Sequence, residues 1–269
     1  MHAIVCIKQV PDVSDVKIDR QTNTLIREGV PSIVNPVDLN AIEEAVRIKE
    51  KYGGKVTAIS MGPPQAVDAL KEAIRQGADE GILISDPAYA GSDTYATSYI
   101  LSEAIKRIWA EEEIDLILCG KQAIDGETGQ VPPGIATRLK IPLLSYVYKI
   151  EKIDFDNKII IVKRKLDRWR ETIKSRIPAL ISVIEEINKP RYSSLDYVIK
   201  AARYKVKIWD NKVLNLDLKK TGLAGSPTRV IKISTPSIRK KGVIINDVKN
   251  PEEAASLLAE KIAMVLKGG

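Results

Sequence analysis

The sequence predicts an α/β fold: a doubly wound, mostly parallel sheet carrying an antiparallel extension and a long C-terminal arm. Three observations point there. Short apolar runs alternate with stretches of helical period over the first half of the chain, which is the rhythm of βαβ units. After residue 143 that rhythm changes to closely spaced strands joined by turns. Finally, a glycine-rich stretch, Gly120-Lys121-Gln122-Ala123-Ile124-Asp125-Gly126-Glu127-Thr128-Gly129-Gln130, follows an apolar run and precedes a helix.

Residues 3–8 read as a buried first strand. Residues 9–34 hold Pro11, several Asp and the alternating Thr24-Leu25-Ile26-Arg27, so a loop with a small hairpin is expected. Asn35-Pro36-Val37-Asp38 opens a helix running to about Tyr52. Ile42, Ala45, Val46 and Ile48 recur near helical period, and Gly53-Gly54 stops it. Residues 55–60 form the second strand, followed by Met61-Gly62-Pro63-Pro64 and a helix to Gln76. A short third strand covers 81–84. Ser92-Asp93-Thr94 caps a long helix ending near Glu113, and 114–119 is the next strand. A helix over 131–139 follows.

Residues 143–153, 158–166, 171–176 and 178–184 read as strands, together an antiparallel extension of the same sheet. Residues 189–242 are punctuated by Lys and Pro and read as an extended arm with one short helix near 195–201. Asn250 caps a final amphipathic helix over 251–266, led by Glu252 and Glu253. The expected organisation is an α/β nucleotide-binding domain over 1–188, the arm over 189–242 and a C-terminal helix region over 243–269.

With 269 residues, 44% of them hydrophobic, the chain can bury one substantial core. No apolar run reaches membrane-spanning length and no signal peptide is visible, so a cytoplasmic protein is expected, with any membrane association running through partner subunits. Cys6 and Cys119 both fall in strands and read as reduced core thiols. One histidine and two cysteines give no plausible transition-metal ligand set and no Ser-His or Cys-His nucleophile system. No side-chain acid or base stands out, so any redox chemistry would belong to a bound cofactor. The net charge of +7 is concentrated between residues 189 and 241, where Lys and Arg outnumber Asp and Glu more than four to one. A solvated basic surface or an acidic partner accounts for it. Nucleic acid is the weaker option, because aromatics are 5% of the chain and form no stacking motif. Abundant Ile, Lys and Glu fit a thermophilic source.

The glycine-rich stretch has the order strand, loop, helix that presents backbone N–H groups to a phosphate. Its glycines admit close approach, and Asp125, Thr128 and Gln130 add side-chain hydrogen bonds. An ordinary βα loop remains the competing reading at this point.

Several blocks in order resemble the beta subunit of electron-transfer flavoprotein. They are Cys6-Ile7-Lys8-Gln9-Val10-Pro11-Asp12, Asn35-Pro36-Val37-Asp38 with Ala41-Ile42-Glu43-Glu44-Ala45, Ser60-Met61-Gly62-Pro63, the block from Gly120 to Gln130, and Lys189-Pro190-Arg191-Tyr192 with Leu195 and Lys200-Ala201. The turn Leu166-Asp167-Arg168-Trp169-Arg170 departs from the pattern, since many members carry glycines there. The resemblance implies a Rossmann-like adenine-nucleotide-binding fold and a heterodimer with an alpha subunit that holds a flavin. It also implies a nucleotide held by Cys6, Asn35, Asp38, Met61, Gly120, Gln122, Ala123, Asp125, Thr128, Gly129, Gln130 and Val131. Taken singly, Asn35 reads better as a helix N-cap, and Cys6 and Met61 as core residues. Tyr192, Leu195 and Lys200 would form the partner-docking segment.

Members of this family hold either a structural AMP or, in the electron-bifurcating group, FAD in this subunit. Thr94 and Thr97, three apart at a helix start, can face one ligand. They also resemble the Asp-Thr-x-x-Thr pattern of the bifurcating group, which makes FAD the expectation and AMP the alternative. The implied reaction takes a hydride from NADH. It divides the electrons between a ferredoxin-like acceptor and the alpha-subunit flavin, leading to a quinone-oxidoreductase or acyl-CoA-dehydrogenase-type partner. A non-bifurcating member and a stand-alone adenine-nucleotide-binding protein of the stress type are the competing readings.

Overall fold

The computed structural model describes residues 1–12, 17–18, 25–26, 31–229 and 250–267. The chain divides into two compact units, residues 1–231 and 232–269.

In the first unit, apolar runs become strands covered on both faces. β1 (His2–Cys6) is buried at every position. β2 (Gln9–Pro11) pairs antiparallel with β5 (Ser32–Val34), and between them β3 (Lys17–Ile18) pairs antiparallel with β4 (Leu25–Ile26), so the expected hairpin is present. Then come α1 (Pro36–Tyr52), β6 (Lys55–Met61), α2 (Val67–Arg75), β7 (Glu80–Ile84), α3 (Thr94–Glu111), β8 (Leu116–Gly120) and α4 (Val131–Leu139). β9 (Leu143–Asp154), β10 (Ile159–Lys165), β11 (Arg170–Arg176) and β12 (Ala179–Val183) follow. After them come α5 (Leu195–Arg203), β13 (Lys207–Trp209) and the short α6 (Asn211–Leu214).

The main sheet has the order β11-β10-β9-β12-β8-β1-β6-β7-β13. β1 pairs parallel with both β6 and β8, so successive crossovers leave β1 in opposite directions and open a crevice at its C-terminal end. Such switch points are where open α/β sheets bind ligands. α1 and α2 cover one face, burying Ile42, Val46, Leu70 and Ile74. α3 and α4 cover the other, burying Ile100, Ile105 and Ile135.

Two expectations are corrected. The strand at 178–184 is not antiparallel: β12 inserts between β8 and β9 and runs parallel to both. Its five residues are all buried, the pattern of a strand covered on two faces, whereas β11 alternates exposed and half-buried positions. The antiparallel extension is therefore β9-β10-β11. The arm also contributes a strand: β13 pairs parallel with β7 and closes the far edge of the sheet. The Tyr204 hydroxyl supports this return by accepting the Gly81 N–H at 2.9 Å.

In the second unit, α7 (Pro251–Lys267) begins as expected, with Asn250 Oδ1 accepting the Glu253 N–H at 2.8 Å. Residues 230–249, which include part of the expected arm, lie outside the described residues. Among the described residues, no helix is long and apolar enough to cross a membrane.

Candidate functional site

A cavity of about 360 Å³ lies at the C-terminal ends of β1, β6 and β8. That is the small end of the usual range for ligand pockets, roughly 300–1,000 Å³. It brings together all fourteen residues that the sequence suggested for cofactor binding. Cys6 comes from the end of β1, Asn35 and Asp38 from the start of α1, Met61 from β6, and Thr94 and Thr97 from α3. Gly120, Gln122, Ala123, Asp125, Thr128, Gly129, Gln130 and Val131 come from the β8–α4 loop.

Asn35 precedes α1 but its side chain makes no capping hydrogen bond. Fully buried, it reaches across to the glycine loop instead. Nδ2 donates to the Gln122 carbonyl at 3.0 Å, and Oδ1 accepts the Ile124 N–H at 3.1 Å. The loop is thus stapled to the start of α1. Lys8 adds an outer tie, donating from Nζ to the Asp125 carboxylate at 2.6 Å.

Asp38, also buried, accepts the N–H groups of Lys8 at 2.8 Å and Gly120 at 3.0 Å, bridging the ends of β1 and β8. Burial pushes its carboxyl up to about 7, against the Asn35 side chain and those two N–H donors, which favour the charge. Gly120 is required by this contact: a Cβ there would collide with Asp38 Oδ1. Gly129 is required by its backbone, at φ +61°, a left-handed conformation costly to other residues. The Cys6 and Cys119 thiols, side by side on β1 and β8, are pushed up by burial, Cys6 to about 12, so both stay protonated and act as apolar lining.

The anion-binding capacity differs from the simplest expectation. α4 begins Val131-Pro132-Pro133, so two of its first N–H positions are silent. The donors available are instead the N–H groups of Thr128, Gly129, Gln130 and Val131, for which the described residues provide no acceptor. At α3, the Asp93 carboxylate accepts the Tyr95 and Ala96 N–H groups at 2.9 and 3.0 Å, and also the Thr228 N–H and hydroxyl. Burial opposes its charge, but these bonds outweigh it and hold the Asp93 pKa low. The start of α3 therefore offers hydroxyls more than bare N–H groups. Thr94 Oγ1 lies 3.1 Å from Gln130 Oε1, and Thr97 lines the same wall one turn on.

Sequence reasoning did not name Ile7, Lys8, Leu101, Cys119, Pro132 or Ile135 as site residues; they line the cavity too, as do Ser92 and Asp93 at the start of α3 and Gly126 and Glu127 of the loop. Leu101 and Ile135 lie four residues after Thr97 and Val131, so helical spacing alone could have found them.

The segment carrying Tyr192, Leu195 and Lys200 is built on α1 as well. Arg191 donates from Nε to Glu43 at 2.7 Å and from Nη2 to Glu50 at 2.9 Å. Glu43 is itself buried, and burial of its carboxylate is outweighed by Arg191 and Arg47, which keep its pKa low. Asn188 and Asn40 exchange side-chain-to-backbone hydrogen bonds at 2.9 and 3.0 Å. On this base, Tyr192 and Leu195 stand fully and 72% exposed. Lys200 turns back, donating to the Ala78 carbonyl at 3.4 Å.

A model of the electron transfer flavoprotein domain matches residues 22–214, most of the α/β unit just described. The chain belongs to the electron transfer flavoprotein family. Its relatives in that family align with it almost end to end. The electron transfer flavoprotein subunit beta of Thermoanaerobacterium thermosaccharolyticum is 49% identical over 263 residues, covering 97% of this chain and 98% of the relative. Protein FixA of Azotobacter vinelandii is 46% identical over 261 residues, covering 95% and 93%. The caffeyl-CoA reductase-Etf complex subunit CarD of Acetobacterium woodii is 43% identical over 261 residues, covering 97% of each. Within the electron transfer flavoprotein family the chain therefore groups with beta subunits and FixA-type proteins.

Proposed function

We propose that this chain pairs with an alpha subunit in an electron transfer flavoprotein heterodimer, and that its cavity holds the adenosine-phosphate part of an FAD. The complex would oxidise NADH and divide the electrons between a ferredoxin-like acceptor and the alpha-subunit flavin. That flavin would in turn serve a quinone-oxidoreductase or acyl-CoA-dehydrogenase-type partner. FAD, when bound, supplies the conversion between hydride and single-electron transfer; the chain supplies binding and position.

The observation that carries the reading is that two sets of hydrogen-bonding groups line one cavity. They are the N–H groups of 128–131 and the Thr94 and Thr97 side chains, with Thr94 Oγ1 held 3.1 Å from Gln130 Oε1. A single phosphate needs one set; a pyrophosphate can use both. Asn35 and Asp38 hold the loop in place, and Cys6, Leu101 and Ile135 give the cavity an apolar lining. Kinship with FixA and with a named subunit of a caffeyl-CoA reductase-Etf complex supports assembly with further redox proteins.

The alternative, a structural AMP, is favoured by size, because about 360 Å³ suits one nucleotide and leaves a flavin ring outside these walls. Absorbance and chromatography of the nucleotides released from the purified heterodimer separate the two. Two FAD per heterodimer support the proposal, and one FAD with one AMP sinks it. Leu195, exposed at the start of α5, is the proposed partner anchor. Leu195→Ala is expected to slow electron transfer to the acceptor without changing nucleotide content.

A further inference from the structure

β10 and β11 pair over seven residues and close through Leu166-Asp167-Arg168-Trp169, where the Leu166 N–H donates to the Trp169 carbonyl at 2.9 Å. Trp169 stands 70% exposed at this tip, while Trp109 and Trp209 are half-buried. A single exposed apolar residue is common on protein surfaces and means little alone. Here, however, the tryptophan sits within a cationic strip. Residues 163–176 carry seven Lys and Arg against two acids, Asp167 and Glu171.

The strip is organised by its own ion pairs. Arg164 binds Glu171 at 2.7 Å, and Lys165 binds Glu186. Arg168 and Arg170 form no ion pair among the described residues; the Arg170 guanidinium instead lies 5.7 Å from the Tyr148 ring centre. Arg168 and Arg170 thus flank an exposed tryptophan at the hairpin tip.

Position gives the tip a purpose. Glu186 follows β12, and its neighbour Glu185 pairs at 3.4 Å with Lys121, the residue after Gly120 in the cavity loop. Through Lys165 the tip is therefore tied to the C-terminal end of β12, the same end of the sheet at which the cavity lies. The acids Asp167, Glu171, Glu185 and Glu186 break the cationic strip into separate positive points, which matches the discrete carboxylates of a protein face better than the continuous charge of nucleic acid or a lipid surface.

We propose that the tip from Leu166 to Arg170 docks the acidic face of a small electron-carrier protein. Trp169 is the apolar anchor, and Arg168 and Arg170 are the steering charges. The choice of an electron carrier rests on the electron-transfer reading above; the docking itself does not depend on which nucleotide fills the cavity.

The test uses the purified heterodimer, with a bacterial two-[4Fe–4S] ferredoxin and a flavodoxin as acidic probes, followed by calorimetry and stopped flow. Binding is expected to weaken about tenfold or more in Trp169→Ala. Association with the unaltered heterodimer should slow as salt rises, and Arg168→Glu/Arg170→Glu should lower the low-salt rate about tenfold and flatten that dependence. Nucleotide content and heterodimer mass should be unchanged in both variants. Three results would overturn the proposal: neither probe binds the unaltered heterodimer, both variants bind as well as it does, or the tip proves to be covered by the alpha subunit. Coverage would show as dissociation of the heterodimer in Trp169→Ala, or as Trp169 fluorescence already shielded from iodide without a probe. Failure of the nucleotide reading would appear separately, as absent or different nucleotide in the unaltered protein.

Discussion

Asn35→Ala tests the link between the first helix and the glycine loop most directly. The buried Asn35 side chain makes two hydrogen bonds to the loop, at 3.0 Å to the Gln122 carbonyl and 3.1 Å from the Ile124 N–H. Each bond contributes about 1 kcal/mol net, and stranding a buried partner can cost about 1–3 kcal/mol. Gln122 and Ile124 are half-buried, so water reaches the orphaned groups and the lower end applies. The expected loss is therefore about 2 kcal/mol, or about 30-fold in the balance between ordered and open loop. For a unit of this size that corresponds to about 4–8 °C in Tm. A nucleotide that requires the ordered loop should bind up to about 30-fold more weakly. Thermal unfolding of the heterodimer, together with nucleotide retained after gel filtration, measures both effects. Asn35→Asp should do no better than Ala, because it keeps the acceptor but turns a carboxylate oxygen on the Gln122 carbonyl. A Tm within about 1 °C of the unaltered protein and undiminished nucleotide retention would refute the staple. The Lys8–Asp125 pair and the Lys121 N–H to Val183 carbonyl bond would then suffice to hold the loop.

Asp38 should give a pH signature. Its folded pKa of about 7 lies above the ordinary 3.8, so between those values the folded state keeps a proton that the unfolded state has lost. Its contribution to stability should therefore fall as pH rises from about 4 to about 7 and then level off. Urea unfolding across that range should show this slope, and Asp38→Asn should remove it; identical slopes would contradict the assignment. Arg191→Met strips the nearly buried Glu43 of one partner while Arg47 remains, and should cost about 2–3 kcal/mol in chemical denaturation. Adding Glu43→Gln to that variant should restore part of the loss, and a purely additive double variant would argue against coupling. Gly129→Ala forces a side chain into a left-handed position, costing about 1–2 kcal/mol locally. It should weaken AMP binding by calorimetry with little change in global Tm, and unchanged affinity would show that this turn does not shape the cavity.

Much of the fold was legible because local pattern and global role agree in the first half of the chain. Apolar runs at β1, β6, β7 and β8 were readable as covered strands, and Gly53, Asp93 and Asn250 mark helix ends where the structure has them. β12 and β13 were harder. An apolar pentapeptide such as Ala179–Val183 states that both faces are buried but not which neighbours it has, and three residues of β13 are too few to show a period.

The sequence by itself determined which residue types were available for a nucleotide: glycines at a strand end, paired threonines, and almost no histidine or cysteine for other chemistry. Tertiary structure alone decided how they are used. The parallel pairing of β1 with both β6 and β8 opens the crevice that gathers residues from position 6 to position 131. It also turned Asn35 from an expected helix cap into a staple for a loop 87 residues away, and it placed Asp38 where burial raises its pKa. Hydrogen-bond partners across such separations are set by packing of the sheet and helices, which no local window of sequence encodes.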